Sequence, residues 1–244
     1  MREWQVGDPV GDGNDIGVPD TKYMGYLKNN QRNTSYSNNI DKSKKYRDEA
    51  RDLKVKNRLM EAELVIDEAI RLNPNSYNNW NVKGLILWQK FEKMYYRDPY
   101  SNAKEVYNCF NKALEINPTN DILKDNKMLF LYEWADALYD AHNMRESLER
   151  IDEYLSIANK NSNDYARGIN LKGCILDELG KDTEALNCFD EALKISPNNK
   201  TFQKNQKRLF IHIEEKRVKN KGPLGEEDID YLVNLREMYN ETYK

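Results

Sequence analysis

The chain has 244 residues, of which 39 % are hydrophobic and 32 % are charged, and its formal net charge is −3 at pH 7. This length allows one or two domains of about 150 residues each. The negative net charge disfavours nucleic-acid binding, which needs a basic surface. No apolar run reaches the ~18 residues that a membrane span requires. The composition therefore predicts a protein with neither nucleic acid nor membrane as its partner.

Residue types that carry catalysis or bind metals are scarce. The three cysteines form no C-x-x-C pair, and the histidines, His142 and His212, have no cysteine or carboxylate at ligand spacing. The glycine-rich segment 11–17 lacks the strand and helix that flank a phosphate-binding loop. We therefore expect no catalytic residue, no metal, no cofactor and no enzymatic activity. The unpaired cysteines and the absence of an apolar leader predict a reducing, cytoplasmic location.

The N-terminal segment, residues 1–41, differs from the rest of the chain. It contains five of the 11 glycines and two of the seven prolines, and it ends in a polar run. Such a segment cannot repay the ordering cost of about 1–2 kcal/mol per residue, which predicts a mostly disordered, flexible tail. Its apolar residues, among them Trp4, Tyr23, Met24 and Leu27, leave open a second interpretation, a docking peptide that folds on binding.

Helical periodicity begins near residue 42, continues to about residue 200 and recurs in similar units. The phrases RLNPN, EINPTN and KISPNN each close an amphipathic stretch with a proline. Recurrence at a period of about 34 residues is typical of stacked helix pairs. The second unit contains about ten additional residues, and the third lacks the closing proline. The four units are 43–76, 77–120, 121–162 and 163–199.

The fourth unit shows the physical role of each recurring residue type. Gly173 and Ala185 are small, which allows two antiparallel helices to approach closely. Phe189 fills the space between them. Gly180 suits a left-handed helix C-terminus, and Pro197 ends the second helix. This pattern predicts a helix-turn-helix unit that must stack on its neighbours to bury its apolar faces.

The pattern resembles the tetratricopeptide repeat (TPR) family. The residues that carry the resemblance are Trp80, Gly84 and Phe110 in the second unit, and Ala185 and Phe189 in the fourth, together with the closing prolines. The resemblance covers residues 42–200. It implies an all-α fold, an α-solenoid of about four helix-turn-helix repeats wound into a right-handed superhelix. It also implies a concave groove lined mainly by the first helix of each pair.

Residues 201–220 are predicted to form a capping helix, because a stack of repeats needs a last element with a polar back. Phe202, Leu209, Phe210 and Ile213 are expected to face inward, with lysine and arginine on the other side. A Gly-Pro-Leu-Gly break then separates this helix from a terminal helix in 221–244, which either continues the stack or lies in a groove.

The resemblance places candidate partner-binding residues on the first helix of each pair. Their side chains are basic in the first unit, aromatic in the middle and mostly acidic at the far end. Aromatic and arginine side chains dominate binding hot spots, and an asparagine amide can pair with a peptide backbone. The candidates are Arg47, Arg51, Lys54, Asn78, Asn81, Leu85, Trp88, Tyr132, Asp136, Tyr139, Arg167, Asn170 and Asp177.

The predicted function is a non-catalytic scaffold that binds an extended or helical peptide segment of another protein in the concave groove. Some TPR proteins hold chaperone C-termini with a basic clamp. At the matching positions only Arg47 and Arg51 are basic, whereas Val82, Leu129 and Glu133 are not. A chaperone-tail clamp is therefore not expected.

A second hypothesis makes the protein a self-assembling or autoinhibited structural protein. Its groove would be filled by residues 1–41 or by the terminal helix, and either segment would also mediate homo-oligomers.

Overall fold

The computed structural model describes residues 21–94, 98, 100, 102–220, 222 and 225–242, with no side-chain description for residues 21–36, 94, 236 and 238–242. These residues form ten α-helices, and no strand occurs among them. The helices are α1 (Thr21–Val55), α2 (Leu59–Leu72), α3 (Tyr77–Met94), α4 (Ala103–Ile116), α5 (Asp121–Asp140), α6 (Met144–Ile157), α7 (Asn163–Glu178), α8 (Asp182–Ile195), α9 (Lys200–Lys219) and α10 (Glu226–Thr242).

The first eight helices pack as four antiparallel pairs, and each pair packs on the next, which makes the molecule an α-solenoid. Contacts also join helices of the same layer: α1 touches α3, α5 touches α7, and α7 touches α9. The odd-numbered helices therefore lie closest together along the stack. We call their common surface the inner face and the surface formed by the even-numbered helices the outer face.

The second helix of a pair is short and buries one stripe. In α4 this stripe is Ala103, Val106, Phe110 and Ala113, spaced three or four residues apart so that all four point to one side. The helix ends three residues later, at Ile116. Pro118 cannot continue a helix, because its ring blocks the backbone and it has no N–H to donate.

Two glycines stand where the paired helices nearly touch, as the sequence predicted. An ideal Cβ on Gly84 would lie 2.7 Å from Cε1 of Phe110, and one on Gly173 would lie 2.6 Å from Cε1 of Phe189. Both rings are fully buried. Gly180 ends α7 with φ +72°, the left-handed conformation that glycine adopts without steric cost.

Part of the predicted N-terminal tail is helical. The helix α1 begins at Thr21, inside the predicted tail 1–41, and continues into the first repeat. Between Thr21 and Val55 the chain has no proline and only Gly25, so no residue in this stretch stops a helix. Residues 1–20, including Trp4, lie outside the described residues, as do the side chains of Tyr23, Met24 and Leu27.

The prediction for the capping helix was wrong at one position. Phe202 and Leu209 are buried and Ile213 is half-buried, but Phe210 is 41 % exposed. Adjacent residues on an α-helix point about 100° apart, so Leu209 and Phe210 cannot both face the stack. Glu214 is buried instead, where its carboxylate accepts a hydrogen bond from the Tyr231 hydroxyl at 3.1 Å.

The terminal helix α10 packs on α9. Two of its apolar side chains, Ile229 and Val233, are 49 % and 47 % exposed. In the part of the chain that the structure describes, no helix has the length and apolar character needed to cross a membrane.

Candidate functional site

The inner face carries three cavities in a row, and most of their lining comes from the odd-numbered helices. The first cavity, about 390 Å³, lies between α1 and α3. The central cavity, about 460 Å³, lies between α3, α5 and α7. The third, about 340 Å³, lies between α7 and α9. Glu92 lines both the first and the central cavity, so these two are neighbours. We call the three together the groove.

The first cavity brings together three of the sequence-predicted site residues, Lys54, Leu85 and Trp88. Val55, at the end of α1, adds an aliphatic side chain that is 85 % exposed. Gln89 also lines this cavity, and its Oε1 is buried without a hydrogen-bond partner among the described residues. The first cavity therefore offers apolar surface, one ammonium group and one unpaired acceptor.

The central cavity brings together Tyr132, Asp136 and Arg167. The guanidinium of Arg167 lies over the Tyr132 ring, 4.7 Å from its centroid. The Tyr132 ring in turn packs against Tyr154 with centroids 5.5 Å apart. Burial raises the pKa of the Tyr132 hydroxyl, so this group stays neutral. The cavity thus has an aromatic wall with charged groups around it.

A hydrogen bond links a residue of the central cavity, Glu133, to a residue of the first cavity, Trp88. Glu133 Oε2 accepts this bond of 2.6 Å from Trp88 Nε1, and the bond connects α5 to α3. Burial raises the pKa of the Glu133 carboxyl, and Glu92 and Asp136 add to this by repulsion, while the Trp88 hydrogen bond lowers it. Burial also raises the pKa of Asp136, with a further contribution from Asp140.

The third cavity is more nearly balanced in charge. Asp177 forms an ion pair with Arg208, with Oδ2 and Nη2 2.9 Å apart. Glu178, His212 and the buried Leu209 also line this cavity. The third cavity therefore carries acidic side chains from α7 and a compensating arginine from α9.

Two of the predicted asparagines connect neighbouring first helices. Asn81 Oδ1 accepts a hydrogen bond of 2.9 Å from Asn126 Nδ2, which joins α3 to α5. Asn170 Oδ1 accepts one of 3.0 Å from Asn205 Nδ2, which joins α7 to α9. Asn81 is only 8 % exposed. Both amides thus hold the inner helices in register.

The remaining predicted residues do not line the three cavities. Arg47 and Arg51 both pair with Asp48 on their own helix, with nitrogen–oxygen distances of 3.2 and 3.4 Å. Asn78 and Tyr139 are half-buried, and burial raises the pKa of the Tyr139 hydroxyl.

The described residues hold no group of three or more histidine, cysteine or acidic side chains placed to bind a metal ion. Burial raises the pKa of Cys109 to about 12 and those of Cys174 and Cys188 to about 11. Thiols with such values are almost entirely protonated near neutral pH, and the thiolate is the nucleophilic form.

The fold and the repeat chemistry agree with a comparison against protein families. The model of the tetratricopeptide repeat matches residues 166–199, a range that contains most of α7 and all of α8. These residues therefore form one repeat of the tetratricopeptide type by sequence. A comparison of the chain with curated protein sequences gives no match.

Solved structures similar to this chain include MamA from Desulfovibrio magneticus RS-1, residues 41 to the end. It shares 15 % identity, with 81 % of this chain and 97 % of that chain covered and a TM-score of 0.50. A second crystal structure of MamA shares 12 % identity, with 84 % and 96 % covered and a TM-score of 0.50. At these identities the likeness concerns the fold alone.

Sequence reasoning did not select several groove residues. Glu133 was considered only as a clamp position, and Glu92 belongs to the stretch 89–102 that contains the insertion of the second unit, where the sequence does not fix the repeat register. Tyr154 belongs to α6, a second helix, yet it reaches the central cavity. The glycine that accommodates its ring, Gly168, was not selected either.

Another cavity, of about 430 Å³, opens on the outer face between α4, α5 and α6. The guanidinium of Arg150 lies over two rings there, 5.0 Å from the Trp134 centroid and 5.5 Å from that of Tyr107. Arg150 also pairs with Glu149 and Glu153. Its positive charge is therefore compensated within the protein.

Proposed function

We propose that this protein is a non-catalytic scaffold of the TPR type that binds an extended or helical segment of another protein along the groove. The observation that carries this proposal is the row of three cavities on the inner face, two of which share Glu92 in their linings. A peptide is a long, narrow ligand, and such a row offers successive pockets for its side chains.

The composition of the lining supports a protein ligand. Trp88, Tyr132 and Arg167 are of the residue types that contribute most to protein–protein affinity. Leu129, 42 % exposed, and Val55 add apolar surface beside them. Apolar side chains exposed in a concave surface gain free energy when a ligand covers them.

The fold keeps the groove open at its C-terminal end. The terminal helix α10 packs on α9, and the three cavities have no lining residue from the described part of α10. This arrangement favours an external ligand over the terminal helix as the occupant. Homo-oligomers formed through the N-terminal segment remain the alternative.

Selection of displayed random peptides against the immobilised protein tests the proposal. Enriched peptides are synthesised and their affinities measured by fluorescence anisotropy for the wild type and for the double variant Val55→Ala and Leu129→Ala. Both substitutions remove exposed apolar surface from the groove and keep a good helix-forming residue. We expect the double variant to bind about tenfold more weakly, as truncation of contact residues typically costs above 1 kcal/mol.

The matched control is the double variant Met60→Ala and Leu64→Ala. These residues are 68 % and 69 % exposed on α2, on the outer face. Equal affinities for the wild type and both double variants would exclude the groove as the binding site. Selection that enriches no peptide at all would contradict the proposed function itself.

A further inference from the structure

The central cavity holds more negative than positive charge. Its lining contains three carboxylates, from Glu92, Glu133 and Asp136, and one guanidinium, from Arg167. The other lining groups are the aromatic and aliphatic side chains of Phe91, Leu129, Tyr132 and Tyr154. The charges therefore stand around a concave, largely apolar pocket of ligand size rather than on an open helix surface.

The carboxylates have little compensation within the protein. The hydrogen-bond donor to Glu133 is the neutral indole of Trp88, which leaves the negative charge in place. Asp136 has no hydrogen bond or ion pair with any residue of the described chain, although it is only partly accessible. A half-buried carboxylate without a donor is unfavourable, and a cationic ligand would improve its environment.

Arg167 neutralises this group of carboxylates only in part: burial raises the pKa of Glu133 and Asp136, and the attraction of Arg167, which lowers both, does not offset it. The Arg167 guanidinium is positioned over the Tyr132 ring and also pairs with Asp164, at 3.7 Å, outside the cavity lining. Neighbouring carboxylates also repel two of these acids. Glu92 and Asp136 raise the pKa of Glu133, and Asp140 raises that of Asp136, in addition to burial. Three carboxylates thus stay close together with one partly engaged arginine beside them.

We infer that the central cavity binds the side chain of a lysine or arginine from the peptide segment that occupies the groove, an inference that rests on the proposed function. The aliphatic stem of such a residue packs on Leu129 and Tyr132, and its charged head reaches the carboxylates of Asp136 and Glu133. An aromatic wall adds attraction for a cation. The partner is therefore basic at this position, the opposite of the acidic tail that a basic clamp recognises.

The first and third cavities do not share this preference. The first contains the ammonium group of Lys54 beside Glu92, and the third contains the Asp177–Arg208 pair. The requirement for a basic residue is thus confined to the middle of the bound segment. This position-specific requirement separates the inference from a general attraction of an acidic protein for basic peptides.

The test begins with the displayed random peptides described above and uses the full chain. Each lysine or arginine of an enriched peptide is replaced in turn by glutamine, and affinities are measured for the wild type. We expect one such position to lose about tenfold or more in affinity, in line with measured couplings of close charge pairs.

The same peptides are then measured on the double variant Glu133→Gln and Asp136→Asn. On this variant, replacing the basic peptide residue by glutamine should lower the affinity only about twofold or less, because the carboxylates that the basic residue would contact are absent. The control variant, Glu68→Gln with Glu115→Gln, removes two exposed carboxylates from α2 and α4 and should behave as the wild type. If the double variant fails to fold by circular dichroism, the exposed Glu92→Gln gives a second measurement on the same cavity.

The outcomes separate the inference from the proposed function. Some enriched peptides could lack any basic residue and still bind the Val55→Ala and Leu129→Ala variant more weakly than the wild type. This result would overturn the inference and leave the groove as a peptide-binding site. A tenfold loss that persists in the Glu133→Gln and Asp136→Asn variant would place the basic side chain elsewhere, and would also overturn the inference. Affinity that no groove variant changes would overturn both.

Discussion

The ring of Tyr154 occupies the space where a side chain at Gly168 would begin. An ideal Cβ on Gly168 would lie 2.7 Å from Cδ1 of Tyr154 and 2.9 Å from Cδ2 of Leu155. The Tyr154 hydroxyl donates a hydrogen bond of 2.6 Å to the Asp164 carbonyl, which holds the ring in place. Because the same ring lines the central cavity, the packing of α6 on α7 and the shape of the cavity depend on one side chain.

We therefore expect Gly168→Ala to destabilise the protein, although alanine is the better helix former. The gain in helix propensity is about 1 kcal/mol. Forcing a methyl group into a filled space costs about 1–3 kcal/mol, and the hydroxyl bond to Asp164 limits how far the ring can move. Urea unfolding followed by circular dichroism measures the difference. In a Tyr154→Leu background the same substitution should be neutral or stabilising, and a stabilising effect in the wild type would contradict this packing.

Asp136→Asn should stabilise the unliganded protein at neutral pH. The pKa of Asp136 is raised in the folded state by burial and by Asp140, so the folded state binds its proton more tightly than the unfolded state does. Stability from this group is therefore present below the unfolded pKa and is lost as the pH rises through the folded pKa. The amide carries no charge and avoids that loss.

Thermal unfolding at pH 7 and pH 3 checks this prediction. The variant should melt higher than the wild type at pH 7, and the difference should disappear at pH 3, where Asp136 is protonated in both states. A lower melting temperature at pH 7 would mean that the carboxylate has a stabilising partner in the protein. The exposed Glu115→Gln serves as the control for the loss of one negative charge.

The Asn81–Asn126 hydrogen bond should couple α3 to α5. Asn81 is 8 % exposed, so Asn81→Ala leaves the Asn126 amide with an unpaired donor beside a buried site. An unsatisfied buried polar group costs about 1–3 kcal/mol. A double-mutant cycle of both alanine substitutions, followed by urea unfolding, should give a coupling of about 0.5–1.5 kcal/mol.

The equivalent pair, Asn170 and Asn205, provides an independent repetition at the other end of the stack. If the effects of the two single substitutions on the free energy of unfolding simply add in both cycles, the paired amides do not stabilise each other. Additivity in one cycle alone would mean that only the other junction depends on its amide bridge.

The three thiols should react slowly in the folded protein. Burial raises the pKa of Cys109 to about 12 and that of Cys174 and Cys188 to about 11, well above the value of a free thiol. The disulfide reagent dithiobis(nitrobenzoate) at pH 7.5 should therefore label the native chain far more slowly than it labels the chain unfolded in urea, because the thiolate is the form that attacks the reagent. Single cysteine-to-serine variants assign each rate, and a native thiol as fast as free cysteine would contradict its burial.

The helical fold was predictable because its signals are local. The small residues Gly84 and Gly173, the prolines after α2, α4 and α8, and the left-handed Gly180 all act within one helix pair, and the chain repeats that pair. The error at Phe210 arose because two adjacent apolar residues both fit an amphipathic pattern, and only the position of α9 on the stack decides which one is buried.

The binding surface was predictable only in part, since it joins residues far apart in the chain. Sequence position alone placed Tyr132, Asp136 and Arg167 on first helices, and these three do share the central cavity. It could not show that Glu133 meets Trp88 across 45 residues, that Arg208 compensates Asp177, or that a tyrosine of α6 reaches the inner face.

The order of residues along this chain was enough to specify helices, their pairing and the inner helix of each pair, because periodicity, small residues and helix-ending residues act over short distances. The three-dimensional packing determined which polar groups form hydrogen bonds or ion pairs and which do not. That outcome depends on the angle and spacing between successive helix pairs, and those distances arise from side chains that meet only when the whole stack has formed.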